Sequence, residues 1–248
     1  MHSGRAIPPP SSRIRLCRAE TFTLTKAMRA LLCLLVAAAG QSAALAESAN
    51  RTEWVDLFAA DLSNAENPDG VWTVSNGVLT ASRDAAIWTT RSYDNFVLDL
   101  EFKNGPAANS GVIVYCSDIQ NWIPSSVEIQ ILDDAAEEWA EVPGTWKCGA
   151  IFGHLAPATN AVKEAGEWNR YTITCIDRTI DVALNGEHVT SMDMSRWTSN
   201  QTNPNGSEIP EWLSTPLADL PTNGKIGFQG KHGGAPIWFR GIRIKELD

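Results

Sequence analysis

Two short runs concentrate the side chains able to do chemistry. The first is Val127-Glu128-Ile129-Gln130-Ile131-Leu132-Asp133-Asp134. Its apolar and polar residues alternate, and in an extended strand successive side chains leave on opposite faces. Ile129 and Ile131 then take one face, and Glu128 and Gln130 share the other, about 7 Å apart along the strand. A carboxyl and a carboxamide so placed can move a proton and orient a hydroxylated ligand. The same spacing also suits a solvated outer face. The second run is Gly227-Phe228-Gln229-Gly230-Lys231-His232-Gly233-Gly234, a strand that ends in glycines and brings Lys231 and His232 to a turn. There an imidazole and a cation can act as acid or as donors to a developing oxyanion. The plain alternative is a tight turn with a solvated lysine. His154, after Gly153, either lines a site or closes a strand, and His188 sits beside a hairpin on the surface.

Tryptophan is plentiful. Trp72, Trp168 and Trp238 sit in strand patterns, where packing is the default. Trp122, Trp146, Trp197 and Trp212 sit in loop-like contexts, where an indole can either pack or stack on a sugar. Two irregular segments, 117–126 and 195–223, carry three of these four. Segments this long in a compact domain are usually functional.

The elements that must position these groups read as strands. In Phe96-Val97-Leu98-Asp99-Leu100-Glu101-Phe102-Lys103 the apolar period is two, that of a half-buried strand, and it recurs at 171–175 and 180–184. Asn-Gly pairs at 76–77, 104–105, 185–186, 205–206 and 223–224 supply turns. Those at 76–77 and 185–186 lie between strand signals and predict two-residue hairpins. In the last strand Ile237 and Phe239 are out of phase with Ile242 and Ile244, so a bulge near Gly241 is expected. Only 133–141 offers a short helix. Many short, evenly spaced strands predict an all-β sandwich or barrel, a single domain over 51–248 without repeat or linker.

Residues 1–46 read as a leader. A basic stretch at Lys26 and Arg29 precedes the apolar run 30–39, which is shorter than the roughly 20 residues that span a bilayer. Ala44-Leu45-Ala46 follows, so a signal peptide over about 28–46 is expected, with residues 1–27 an overlong gene start and a mature chain from Glu47 in the periplasm or outside the cell. The leader holds six of the 20 basic and one of the 29 acidic residues, which leaves 14 and 28 and a net charge of −14. That charge repels phosphate backbones and anionic lipid, which speaks against nucleic acid and membrane as partners and leaves neutral sugars open. Cys116, Cys148 and Cys175 remain, an odd number, read as buried thiols or as one disulfide plus a free thiol. No spacing points to a metal, so no cofactor is expected, a divalent cation being left open. Oligomeric state is not legible.

The runs WVDLF (54–58), NSGVIVY (109–115), VEIQILDD (127–134), CGAIFGH (148–154), AGEWNRYTI (165–173), LNGEHV (184–189) and IGFQGKHGGAPIWFRGIRIKEL (226–247) occur in this order. Together they closely resemble the 3-keto-disaccharide hydrolase family over nearly the whole mature chain. The resemblance implies a concanavalin A-like jelly-roll of two antiparallel sheets and hydrolysis of glycosides whose sugar carries a ketone at C3. The chain departs from the pattern at Tyr115-Cys116, where many relatives carry an arginine. Such a ketone acidifies the C2 proton, so one carboxylate base and hydrogen-bond donors suffice, without the carboxylate pair of ordinary glycosidases. On this reading Glu128 is the base and His232 and Lys231 are acid or oxyanion donors. Gln130, Asn109, Arg240 and Asp133 contact the substrate, with Trp122 and Trp146 as stacking walls. The competing readings are a lectin-like carbohydrate-binding module and a structural envelope protein.

Overall fold

The computed structural model describes residues 53–247, so the expected leader and its cleavage point lie outside the described residues. The strands in chain order are β1 (Val55–Asp56), β2 (Ala65–Glu66), β3 (Trp72–Ser75), β4 (Val78–Ala81), β5 (Ile87–Thr89), β6 (Phe96–Asn104) and β7 (Asn109–Cys116). They continue with β8 (Val127–Leu132), β9 (Asn169–Ile176), β10 (Thr179–Leu184), β11 (Glu187–Asp193), β12 (Lys225–Phe228) and β13 (Ile237–Glu246). One sheet runs β11-β10-β9-β6-β13-β4-β3, with β1 also on β13, and the second runs β2-β5-β12-β7-β8. Every pairing between these strands is antiparallel.

The period-two runs decide which side faces inward. Phe96, Leu98, Leu100 and Phe102 of β6 are fully buried, as are Val112 and Val114 of β7 and Ile129 and Ile131 of β8. Each such side chain contributes about 1.5–3 kcal/mol of transfer free energy. The two sheets meet through aromatic contact: Phe228 of β12 stacks on Phe239 of β13 with ring centroids 4.7 Å apart. Tyr171 of β9 reaches across the core and its hydroxyl donates to the Gln130 carbonyl at 2.6 Å, which ties β8 to the opposite sheet.

Both Asn-Gly hairpins form as the turn chemistry requires. Asn76 and Gly77 have φ of 52° and 73°, and Asn185 and Gly186 have 55° and 84°, the left-handed pair of a type I′ turn. The bulge in β13 also forms. Its register against β6 slips between Arg240 and Arg243, so that Ile237, Phe239 and Ile244 are all buried. The short helix expected at 133–141 does not form; Glu137–Trp139 makes a single 3-10 turn. A segment this brief cannot repay helix nucleation, and Pro143 stops any extension. Cys116, Cys148 and Cys175 are all buried and free, which settles the alternatives in favour of buried thiols. Burial pushes the Cys116 thiol up to about 11 and the Cys148 thiol up to about 12, far from thiolate chemistry at neutral pH.

Candidate functional site

The outer face of the five-stranded sheet carries the site. β7 and β8 pair Gly111 with Gln130 and Ile113 with Glu128, so Asn109, Gly111, Glu128 and Gln130 leave the sheet on one side. The free edge of β8 is completed by residues 149–152: Gln130 N–H donates to Ala150 O (2.9 Å) and Phe152 N–H to Glu128 O (2.9 Å). Above this surface lies a cleft of about 310 Å³. Trp122, Ile123 and Ser126, from the turns that follow β7, form one wall. Trp146, Phe152, His154, Trp212 and Leu213 form another, and Gln229 and His232 join Asn109 around the remainder.

Among the described residues, Glu128 is the only acidic one lining the cleft. Among the described residues no cation or donor stands against its carboxyl, and burial alone pushes its pKa from 4.5 up to about 8. Its side chain lies across Gly111: a Cβ there would stand 2.1 Å from Glu128 Oε1 and 2.7 Å from Cγ. The glycine of the NSG run is thus the floor on which the carboxyl rests. Gly111→Ala should lower activity at least tenfold, the order of loss for a displaced acid–base group, while the melting temperature falls by only a few degrees. Steady-state kinetics beside a thermal melt checks this.

Two histidines face the cleft with their tautomers set. His154 is buried, and its Nδ1 lies 2.8 Å from the Phe152 carbonyl. A carbonyl only accepts, so Nδ1 carries the hydrogen and Nε2 is left with a lone pair. Burial lowers its pKa to about 4, which keeps the ring neutral. His232 forms a bridge with Asn109, and its Nδ1 donates to Asp84 Oδ2 at 2.9 Å. Asp84 is held in reach by two devices. The Trp72 indole N–H donates to Ala85 O at 2.9 Å, and Gly230 lets the two loops touch, since a Cβ there would meet Ala85 O at 2.6 Å.

The amides complete the polar lining. Gln130 Nε2 donates to Asn109 Oδ1 at 3.1 Å, which leaves the Asn109 amide nitrogen available. Gln229 Oε1 is buried without a hydrogen-bond partner among the described residues. The aromatic wall is built by packing: Trp146 lies 5.0 Å from Phe152 and 6.2 Å from Trp212, edge-on to the latter. The long segment 195–223 is pinned beside His154 through Asn203, whose Nδ2 donates to Gly153 O (3.1 Å) and whose Oδ1 accepts from Trp197 Nε1 (2.9 Å). Trp197 is therefore a structural residue, and Trp212 is the tryptophan of that segment that lines the cleft, beside Leu213.

Of the residues singled out in the sequence, the structure brings Glu128, Gln130, Asn109, His232, Trp122 and Trp146 together. Three others stand elsewhere. Arg240 lies on β13 in the eight-stranded sheet, bonded to Glu101 at 2.8 and 3.2 Å and stacked over Trp168 at 4.0 Å. Asp133 is out of phase with Glu128, and its Oδ2 accepts from Ala107 N–H at 2.9 Å, a buried structural bond. Lys231 does not line the cleft: it sits at the centre of a tight turn, closed by the His232 N–H donating to the Gly230 carbonyl at 2.8 Å, from which only His232 reaches the site. Conversely, Asp84, Gln229 and the definite role of His154 were not assigned from sequence. His154 had a signal, the end of the CGAIFGH run; Asp84 had none.

The model of the 3-keto-alpha-glucoside-1,2-lyase-like domain matches residues 53–245. The chain belongs to this family. Within reach of this family, a 3-keto-disaccharide hydrolase of Bacteroides thetaiotaomicron is 26% identical over 178 residues, 63% of this chain and 60% of that protein. The chain thus spans under two thirds of that relative's length. A crystal structure of a Parabacteroides distasonis protein described as a candidate glycosyl hydrolase is 52% identical, with a TM-score of 0.77, over 79% of this chain and all of that one. A second such structure from the same organism is 25% identical with a TM-score of 0.65, over 79% of this chain and 94% of that one.

Proposed function

We propose that this chain is an exported hydrolase of 3-keto-glycosides. The observation that supports it most is the solitary carboxyl. Among the described residues Glu128 is the one acid in the cleft, whereas both ordinary glycosidase mechanisms need two carboxyls flanking the scissile bond. A C3 ketone removes that need by making the C2 proton removable. Membership of a 3-keto-alpha-glucoside-1,2-lyase-like family supports elimination at a 3-keto sugar, and the name of the Bacteroides relative supports net hydrolysis.

The residues divide the work as follows. Glu128, as carboxylate, takes the C2 proton, and the electron pair passes into the C3 carbonyl as an enolate. Asn109 and Gln229 amide N–H groups donate to that oxygen. The enolate then collapses to restore the ketone, forms the C1–C2 double bond and expels the C1 oxygen, which takes a proton from His232. Water adds at C1 and gives its other proton back to His232, while Glu128 returns its proton to C2, so both groups are restored and the net change is hydrolysis. His154, neutral with a free Nε2 lone pair, accepts a sugar hydroxyl, and the Trp122 and Trp146 rings bound the sugar faces. A raised pKa suits this base, because proton transfer is most effective when the pKa lies near the working pH. A purely sugar-binding role gives no reason to bury a carboxyl without a partner, which costs stability.

Purified protein incubated with a 3-keto-disaccharide and with its unoxidised parent should release monosaccharide only from the keto form, by a factor of at least about 10⁴, since the parent's C2 proton is not acidic and the cleft has no second carboxyl. Equal hydrolysis of both, or of the parent alone, would overturn the reading.

A further inference from the structure

The cleft changes character from its depth to its mouth. Its inner part is polar, with Gln130 and His154 both buried. Its mouth is apolar. Among the described residues five large apolar side chains are exposed, and two of them line this cleft: Ile123 at 41% and Trp212 at 49%. We infer that the leaving group of the substrate is an apolar alcohol, best an aromatic one, held at the mouth by Ile123 and Trp212. The inference rests on the 3-keto-glycosidase reading and narrows its substrate class.

Three observations carry it. The first is room. At about 310 Å³ the cleft is at the small end of ligand sites and suits one sugar ring, so the leaving group lies beyond it. The second is direction. His232, which protonates the departing oxygen, has 52% of its side chain exposed. That oxygen therefore stands toward solvent, and the group it carries extends through the mouth. The third is the chemistry found there. Ile123 has no polar side-chain atom and Trp212 has only its indole N–H. The Ser126 hydroxyl, on the same wall as Ile123, is taken up by the Trp122 carbonyl at 2.6 Å. A second sugar ring pressed against these side chains would strip water from hydroxyls and offer them too few partners, which is costly. A phenyl or alkyl group has no such loss and gains by leaving water.

Both side chains stand on fixed turns. Leu213, next to Trp212, presses on Gly153, where a Cβ would meet Leu213 Cδ1 at 2.4 Å, and its N–H donates to Pro210 O at 2.9 Å. Asn200 Nδ2 donates to Ser214 O at 2.9 Å on the other side. Ile123 opens a 3-10 turn with Pro124, closed by the Ser125 N–H donating to Trp122 O at 3.1 Å. Scattered exposed apolar residues are ordinary. Two of them held at one mouth, above a polar cleft, form a surface that a ligand covers with profit.

The test compares the 3-keto-α-glucosides of methanol and 2-phenylethanol with maltose carrying a ketone on its non-reducing ring. Methanol and 2-phenylethanol leave as simple alkoxides with the same need of a proton, so their difference reports binding of the phenyl group. In the native protein kcat/KM should favour the phenylethyl over the methyl glycoside by about ten- to a hundredfold, the worth of burying such a group, and should also exceed that for the keto-maltose. Trp212→Ala should lower the phenylethyl-to-methyl ratio roughly fivefold or more, whereas Trp212→Phe, which keeps an aromatic face, should retain most of it. Ile123→Ala, at an exposed turn, gives a second lowering by roughly threefold. A native ratio within twofold of one, a ratio unmoved by Trp212→Ala and Ile123→Ala, or faster turnover of the keto-maltose would overturn the inference while leaving the hydrolase reading in place. Should the native protein cleave none of the keto substrates, the hydrolase reading falls, and calorimetry with methyl and 2-phenylethyl α-glucoside judges the mouth alone. Tighter binding of the phenylethyl glucoside that Trp212→Ala removes supports it; equal binding of the two, or no effect of the variant, overturns it.

Discussion

Glu128→Gln should abolish turnover and at the same time make the protein more stable above neutral pH. The loss of activity follows from removing the base, which typically costs 10²–10⁴-fold, and the cleft has no other carboxylate to take over. The gain in stability follows from proton linkage. In the unfolded chain Glu128 ionises near 4.5, whereas burial holds it to about 8 in the fold. Below about pH 4.5 the carboxyl is protonated in both states and costs nothing. As pH rises past that value the unfolded state gains from ionising and the folded state does not, so stability falls by about 1.4 kcal/mol per unit until pH passes about 8. At pH 7 the cost is on the order of 3 kcal/mol, and the neutral amide of glutamine escapes it. Melting curves of the two proteins should therefore coincide near pH 4 and separate by several degrees near pH 8, the variant melting higher. The activity profile of the native protein gives an independent reading. Measured with a 4-nitrophenyl 3-keto-glycoside, whose leaving group needs no proton from His232, kcat/KM should climb about tenfold per unit toward pH 8 and level off beyond it, because only the ionised fraction of Glu128 works. A profile that falls over this range would make Glu128 an acid instead, and a variant retaining a tenth of native turnover would remove it from the chemistry.

The sandwich was legible because it rests on local rules. Period-two runs such as 96–103 decide burial side by side, Asn185-Gly186 decides a hairpin within four residues, and the phase change between Phe239 and Ile242 decides a bulge. The same rule put Glu128 and Gln130 on one face. What the sequence could not show was which sheet a strand joins. Arg240 has the right chemistry for a sugar site, and its phase within β13 was readable, but β13 lies in the other sheet, where Glu101 and Trp168 occupy its guanidinium. Asp84 was invisible for the converse reason. Nothing near it in sequence is periodic, and its place beside His232 depends on Trp72 and Gly230, far apart along the chain. The raised pKa of Glu128 was likewise out of reach, because it arises from burial in a cleft whose walls come from several separate loops. Local pattern gives a face; convergence of distant segments makes it a site.

His232→Ala should slow turnover of a 3-keto-disaccharide by about 10²–10⁴-fold, the range for a positioned proton donor, with the fold undisturbed. His232 and Asp84 are both about half exposed, at 52% of each side chain, and substitutions at such positions usually change stability by no more than about 0.5 kcal/mol. Asp84→Asn should cost less, roughly tenfold, because an asparagine keeps the shape and still accepts the Nδ1 hydrogen of His232, but through a neutral oxygen that orients the ring less firmly. A merely structural role would impair every substrate alike, so the leaving group separates the two accounts. A departing sugar alkoxide needs a proton, whereas 4-nitrophenolate leaves without one. With 4-nitrophenyl 3-keto-α-glucoside the His232→Ala and Asp84→Asn variants should approach native rates, while Glu128→Gln, which blocks the earlier proton abstraction, should remain inactive on both substrates. Equal losses on the sugar and nitrophenyl glycosides would remove His232 from acid catalysis. The donor would then have to be sought in Glu128 itself, returning to the leaving oxygen the proton that it took from C2.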